Sequence, residues 1–167
     1  MPDRSAKRAA NTVSQLWASG FVNRWHTNHD PRLRNAGDTT AAHAQRVAVL
    51  VMFLGADATL DDVYHAILHD APEVVTGDCP GPTKEKDLRL AANLRYTESV
   101  WWEDIGIKPL PDTPALVRLC DKLDAYLFVK AHAPDLLSTP EWVKVKSRLC
   151  LLSDTLGCGA VVQELLR

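Results

Sequence analysis

Apolar side chains recur every three or four positions along most of the chain, a spacing that predicts helices with one buried side. No stretch alternates strictly between apolar and polar residues, as a strand with one buried face does. Capping residues, glycines and prolines set the ends of about six predicted helices. These helices cover residues 4–19, 40–54, 60–76, 83–104, 113–133 and 140–155. The sequence therefore predicts an all-α fold, a compact helical bundle.

Residues 21–38, between the first two predicted helices, show no periodic pattern. This segment holds several basic side chains, including Arg24, and the aromatic Trp25, and it is long for a loop within a compact domain. Functional residues are often carried by long loops that a rigid scaffold positions. We therefore expect this loop to contribute to function.

The third predicted helix carries polar groups where a buried helix would prefer hydrocarbon. Its apolar side is formed by residues spaced three or four apart: Val63, Ile67, Ala71 and Val74. The adjacent His69 and Asp70 can offer one nitrogen and one oxygen to the same metal ion. Glu73 is expected one turn further along the same side of the helix, which Gly77 ends. This combination predicts a site.

Two further polar residues fall on faces predicted to be apolar. On the second helix, His43 begins a stripe that continues with aliphatic residues, so its side chain is expected to point inward: Val47, Leu50, Val51 and Leu54 follow. On the fifth helix, Asp121 adjoins the core face, and an acid in that position needs a partner.

Each of these features also has an ordinary explanation. His43 could be a core histidine bonded to a backbone carbonyl, and Asp121 could pair with Lys122 or a nearby arginine. The His69–Asp70 doublet could be a coincidence of neighbouring residue types. Taken together, however, the three features lie on helices that one bundle can bring together. Two imidazoles and two carboxylates suit a divalent ion such as Co, Mn or Zn, with Mg, Ni or Fe as further candidates.

Length and composition favour a single domain over residues 1–167, with its core at roughly 15–155. The chain has 167 residues, of which 46% are hydrophobic, enough for one core. A net charge of -2 and a pI near 6.3 lack the basic excess of a duplex-binding protein, so nucleic acid is not an expected partner. The four cysteines form no C-x-x-C pair, and neither a signal peptide nor a membrane span is recognisable. A cytoplasmic location is expected.

The order of these residues resembles that of the HD-domain metal-dependent phosphohydrolases. In that family a histidine precedes a His-Asp doublet, and an aspartate follows on a later helix. The small deoxynucleotidase branch also has an Arg-Trp pair ahead of the first histidine and a longer motif after the doublet. The matching residues here are Arg24, Trp25, His43, His69, Asp70, Glu73, Thr76, Gly77, Asp78, Pro80, Pro82, Lys84 and Asp121. The resemblance covers roughly residues 15–130.

Within this branch the chain is most similar to phage dATP triphosphohydrolases. The resemblance implies metal-dependent hydrolysis of 2'-deoxynucleoside triphosphates, preferentially dATP, to deoxynucleoside plus triphosphate, which depletes dATP from the nucleotide pool. An alternative is a 5'-deoxynucleotidase that releases phosphate from deoxynucleoside monophosphates. A third possibility, from another class, is a nucleotide-binding protein without catalysis. The resemblance also implies a homo-oligomer, from dimer to hexamer, in the cytoplasm of the host if the chain is phage-encoded.

Site roles follow from the same resemblance. One divalent ion is expected to be held by four residues: His43, His69, Asp70 and Asp121. Glu73 would orient or deprotonate the attacking water, and Asp78 would align it or help to protonate the departing oxygen. Five further residues are expected to bind substrate: Arg24, Trp25, Thr76, Lys84 and Lys122. Ala42 departs from the family, where Glu is common, so the support of His43 is expected to differ.

Overall fold

The computed structural model describes residues 4–108 and 112–167, and every regular element in these two ranges is helical. The elements, in chain order, are α1 (Arg4–Ser19), α2 (Pro31–Arg34), α3 (Thr40–Leu54), α4 (Leu60–Leu68), α5 (Glu73–Thr76), α6 (Gly81–Lys86), α7 (Leu88–Asp104), α8 (Ala115–His132), a 3-10 turn (Pro134–Ser138), α9 (Pro140–Thr155) and α10 (Gly159–Leu165). The all-α prediction is confirmed. Residues 1–3 and 109–111 of the predicted domain lie outside the described residues. None of the helices described is both long and apolar enough to cross a membrane.

The main core lies between α3, α4, α8, α9 and α10. Val47 and Val51 of α3 and Leu119 and Leu123 of α8 are fully buried there. Burying each of these side chains contributes about 1.5–3 kcal/mol to folding. The predicted inward stripe of α3 is confirmed, including His43, which has no exposed surface. α3 and α8 thus contribute fully buried side chains to the same core.

The predicted third helix is not continuous, and this corrects the expected placement of its polar residues. α4 ends with His69 as its C-cap, and α5 begins at Glu73. Pro72 has no N–H to continue the hydrogen-bond ladder, and the chain changes to shorter-range bonds such as Ala71 N–H to the Leu68 carbonyl. Asp70 therefore lies in a turn between two helices.

The predicted count of six helices is likewise too coarse. The expected fourth helix is divided at Asp87, whose side chain accepts the backbone N–H groups of Arg89 and Leu90 and so begins α7. The predicted loop contains α2, and the expected tail forms α10. The described residues hold ten α-helices, of which six have nine residues or more.

Two predicted apolar faces are only partly buried. α1 forms as predicted, but Val13 and Trp17 on its apolar side are exposed, with 66% and 70% of their surface accessible. On α4, Ile67 is half exposed, whereas His65 and Ala66 are buried instead. The bend after Leu68 reorients the segment that follows, so a single helical stripe from residue 63 to 74 does not exist.

Candidate metal centre and adjoining cavity

Three predicted ligands converge although they come from separate elements. His43 on α3, His69 at the end of α4 and Asp70 in the following turn each present a ligand atom within 4.8 Å of the other two. The Nε2 atoms of the two imidazoles are 3.3 Å apart. Asp70 approaches both rings at 3.4 Å, with Oδ2 toward His43 and Oδ1 toward His69. This cluster could hold a metal ion.

Asp121 of α8 reaches the same cluster. Its Oδ1 lies 3.4 Å from Nε2 of His43 and 4.0 Å from Nε2 of His69. Donor atoms bonded at about 2.0–2.1 Å to one ion in tetrahedral geometry lie about 3.4 Å apart. The 3.4 Å separations from Nε2 of His43 to Asp70 and to Asp121 fit this spacing, whereas Asp121 stands outside the group of donor atoms that all lie within 4.8 Å of one another. The partner of Asp121 is thus a pair of histidines, rather than the lysine or arginine of the ordinary explanation.

The electrostatics of the cluster follow from its buried opposite charges. Burial by itself would lower the pKa of His43, but the carboxylates of Asp121 and Asp124 raise it to about 9. Burial would raise the pKa of Asp121, yet its contact with His43 and the nearby His69 hold that pKa below its ordinary value. His43 and Asp121 therefore stabilise one another in charged form when no other cation is bound.

A second carboxylate supports His43 from its opposite side. Oδ2 of Asp124, one turn after Asp121 on α8, lies 2.7 Å from Nδ1 of His43. Asp124 also accepts hydrogen bonds from Arg46, with 2.6 Å between Nε and Oδ1 and 3.1 Å between Nη2 and Oδ2. Metal-binding histidines commonly donate their other ring N–H to a carboxylate in this way. Ala42, where the family motif often has Glu, is exposed and makes no such contact.

The loop that precedes α3 is held against the same group of charges by Asp38. The backbone N–H of Arg24 donates to the Asp38 carbonyl, and the indole N–H of Trp25 donates to its carboxylate at 3.3 Å. Nη2 of Arg46 donates to both carboxylate oxygens of Asp38, at 3.0 and 3.1 Å. The guanidinium of Arg24 in turn donates to Oδ2 of Asp70 at 2.7 Å. Arg24 and Trp25 are therefore positioned next to the cluster.

Trp25 has an unusual backbone conformation. Its φ angle is +61°, a left-handed value that residues with a side chain rarely adopt. Its backbone N–H donates to Oδ2 of Asp78 at 2.9 Å, and its ring stacks on Phe128 with 5.5 Å between centroids. These contacts on both backbone and ring hold the residue in place. The predicted residue Asp78 thus shapes the loop, in addition to facing the cavity.

A cavity of about 330 Å³ adjoins the cluster. Asp70 and Asp121 form part of its wall and so connect it to the histidines. Most of the other predicted site residues line it as well: Arg24, Trp25, Glu73, Asp78, Lys84 and Lys122. Thr76, at the end of α5, does not. The lining also includes residues that were not predicted to belong to the site, among them Ala125, Trp142 and Val145.

Glu73 brings a buried, unpaired carboxyl oxygen to this cavity. It is 6% exposed, and its Oε2 has no hydrogen-bond partner in the described part of the chain. Burial, together with the negative charges of Asp70 and Asp78, raises the pKa of Glu73 to about 9. A buried carboxyl group held in this state binds a proton strongly and has a free position for a hydrogen bond.

Sequence reasoning missed Asp38, Arg46, Asp124 and Phe128. Asp124 left a signal, because it continues the buried helical spacing of Val117 and Cys120 and is thus a second acid on a core face. Asp38 left none, since its role depends on the path of a loop.

A scan against models of known protein families, a search of curated proteins and a search of solved structures all find no match for this chain.

Proposed function

We propose that this chain is a metal-dependent phosphohydrolase of the HD-domain type, acting on 2'-deoxynucleoside triphosphates and preferentially on dATP. The observation that carries the proposal is the convergence of two histidines and two aspartates from α3, the α4–α5 turn and α8 beside a cavity lined by three cations. Opposite charges of this kind suit a metal ion together with the phosphate groups of a substrate.

One divalent ion, Co, Mn or Zn, would be held by His43, His69, Asp70 and Asp121. Mixed imidazole and carboxylate donors suit these ions and do not select strongly among them. Such an ion, when bound, supplies Lewis-acid chemistry that neutralises phosphate charge and lowers the pKa of water.

The cationic side chains of the cavity would bind the phosphate groups. Arg24 presents a planar guanidinium that can contact two phosphate oxygens, and Lys84 and Lys122 act as single charges on the same wall. Because Arg24 already donates to Asp70, a phosphate bound by Arg24 lies next to the candidate ligands. In the proposal, the α-phosphate rather than the distal phosphates would take this position.

With a divalent ion held beside it, Glu73 would be ionised. In that form it would orient the attacking water and take up one of its protons as the new oxygen–phosphorus bond forms. The bond between phosphorus and the 5'-oxygen breaks, and the departing oxygen takes up a proton with help from Asp78. Burial of Glu73 and its unpaired Oε2 support this role, because the group is beside the cavity and is not committed to another bond. The products are deoxynucleoside and triphosphate.

Trp25 would contact the deoxyribose. Its ring lies in the cavity wall and is backed by Phe128, so a bulky and rigid surface faces the sugar. Such a surface leaves little room for a 2'-hydroxyl. The apolar residues Ala125, Trp142 and Val145 form a wall suited to a nucleobase.

Product analysis tests the proposal. Metal-free protein is supplied with Co or Mn and incubated with the four dNTPs, the four dNMPs and ATP, and products are separated by chromatography. Deoxyadenosine and triphosphate from dATP support the proposal, and no products form after chelation. Phosphate released only from monophosphates would instead identify a 5'-deoxynucleotidase. Nucleotide that stays bound without turnover, whichever metal is added, would identify a binding protein.

A further inference from the structure

An unbroken series of contacts joins the candidate metal centre to Trp25 in the loop of residues 21–38. It runs through Asp124, Arg46 and Asp38. Asp38 and Asp124 are 5% and 4% exposed, and the guanidinium of Arg46 lies between them. One end of the series, Asp124, contacts the imidazole of His43 at 2.7 Å. The other end, Asp38, receives the indole N–H of Trp25. A single arginine therefore links a candidate metal ligand to the loop that lines the cavity.

A second set of contacts runs parallel to the first. The guanidinium carbon of Arg46 lies 5.3 Å from the centre of the Phe128 ring, within the range of a cation–π contact. Phe128 also stacks on Trp25, whose ring is nearly parallel to it at an angle of 8°. Arg46 thus contacts the surroundings of Trp25 through a carboxylate and also through an aromatic ring.

A purely structural ion pair does not account for this arrangement well. Removing charged groups from water is costly, and apolar residues of similar volume often stabilise a fold as much as a buried ion pair does. Here one guanidinium serves two nearly buried carboxylates, and each carboxylate makes its remaining bond to a residue of the site. The geometry of Arg46 matters for this purpose, because only its planar fork reaches both acids at once.

We propose that Asp124 is a positioning residue for His43, and that Arg46 and Asp38 transmit this constraint to Trp25, so that metal binding and the orientation of Trp25 depend on one another. The inference rests on the proposed metal centre. If His43 shifts to bind an ion, Asp124 moves or tightens with it, and Arg46 carries the change to Asp38. Neither Asp38 nor Arg46 touches the ion or the substrate in this scheme.

The test uses zinc alone, without nucleotide and without measuring turnover. The zinc dissociation constant is measured by competition with a chromogenic chelator, and the indole N–H resonance of Trp25 is followed by nitrogen-15 NMR. Trp25→Phe identifies this resonance by its absence. In the native sequence, zinc is expected to move the Trp25 resonance with the same midpoint as binding. Asp124→Asn is expected to weaken zinc binding by about 10–100-fold.

Arg46→Met is expected to weaken zinc binding and to abolish the response of the Trp25 resonance to zinc. Since this variant leaves two buried acids without a counter-charge and can fail to fold, Arg46→Lys is measured as well. It retains the charge but not the fork, and it is expected to lose the Trp25 response. The matched control is Arg32→Met, because Arg32 also bridges two aspartates, Asp30 and Asp135, but at an exposed position.

Arg32→Met is expected to leave both measurements unchanged. The inference is overturned if zinc moves the Trp25 resonance of the folded Arg46 variants as it does in the native sequence, or if their zinc affinity is unchanged. Absence of zinc binding to the native chain would instead reject the proposed metal centre itself, and with it the premise of the inference.

Discussion

Nδ1 of His43 lies 2.7 Å from Oδ2 of Asp124, while Nε2 of the same ring lies 3.3 Å from Nε2 of His69. The contact with the carboxylate places a proton on Nδ1, which leaves Nε2 directed toward the candidate metal centre. Both ring nitrogens of this predicted ligand therefore contact other side chains of the site. This double commitment distinguishes it from a core histidine bonded to a backbone carbonyl.

Replacing His69 by alanine is expected to weaken zinc or cobalt binding by more than about 100-fold, because losing even an outer partner of a ligand costs about 10–100-fold. Titration followed by calorimetry measures the change. The control is His29→Ala, which removes an exposed imidazole from the loop of residues 21–38. Equal losses in both variants would contradict a specific site and indicate scattered binding to surface histidines.

Replacing Glu73 by glutamine is expected to reduce turnover of dATP by about 10²–10⁴-fold, the usual contribution of general acid–base catalysis. The amide keeps the shape of the buried side chain but cannot take up a proton from water. Zinc affinity and thermal stability are expected to stay at native values, since the group is not placed among the ligands. Undiminished turnover would exclude the proposed role of Glu73.

The backbone conformation of Trp25 predicts an unusual order of stability between two variants. At an ordinary φ angle in a regular element, a protein with glycine is less stable to unfolding than the same protein with alanine, by roughly 0.5–1 kcal/mol. At the φ of +61° found for Trp25, alanine is strained by about 1 kcal/mol and glycine is not. Urea denaturation should therefore find Trp25→Gly at least as stable as Trp25→Ala.

The neighbouring His26 provides the matched pair for this comparison. Among the described residues other than glycine, Trp25 is the one with a positive φ, so His26 has an ordinary backbone conformation. His26→Gly should accordingly be less stable than His26→Ala. The same order of stability at both positions would show that the left-handed conformation of Trp25 does not persist in solution.

The start of α4 predicts a pH-dependent contribution to stability. Asp62 accepts hydrogen bonds from the backbone N–H and the hydroxyl of Thr59, and these bonds lower its pKa from 3.8. The unfolded chain therefore binds this proton at a higher pH than the folded chain does, so the stabilisation is present above pH 3.8 and is lost as the pH falls through the lower folded pKa.

At pH 7, Asp62→Asn is expected to lower the free energy of unfolding by about 1 kcal/mol, as is typical for a lost cap. The difference between this variant and the native sequence should shrink below pH 3.8. Urea titrations from pH 7 to pH 3 measure it. A difference that grows on acidification would contradict the assigned capping contacts.

The cysteines provide a probe of the cavity. Cys79 lies in its wall, whereas Cys120 is fully buried, and burial raises the pKa of the Cys120 thiol to about 12. Because the thiolate is the reactive form, iodoacetamide should alkylate Cys79 in the folded chain and spare Cys120. Adding dATP to the Glu73→Gln variant should slow alkylation of Cys79 but not of the half-buried Cys150. Equal protection of both cysteines would argue against nucleotide in this cavity.

The residue pattern alone predicted the fold class and marked the polar residues that interrupt apolar faces, while the choice of ligands rested also on the family resemblance. The stripe from His43 to Leu54 and the core residues of α8 are repeated at helical spacing, and local geometry makes such a stripe one face of a helix. A histidine or aspartate that interrupts an apolar face is visible for the same reason. His43, His69 and Asp70 could therefore be picked out before any coordinates, although their contact with one another could not.

Only the tertiary structure placed His69 and Asp70 in a turn between α4 and α5, left the apolar side of α1 exposed and brought Asp38, Arg46 and Asp124 together. These features depend on how segments meet in space. Arg46 contacts Asp38, eight residues before it, but it also contacts Asp124, 78 residues after it, and no local preference encodes a contact over such a distance. The sequence by itself determined which faces are apolar and which polar groups interrupt them, because helical periodicity is a local property. The choice of partner for each of those polar groups was decided by the packing of the helices.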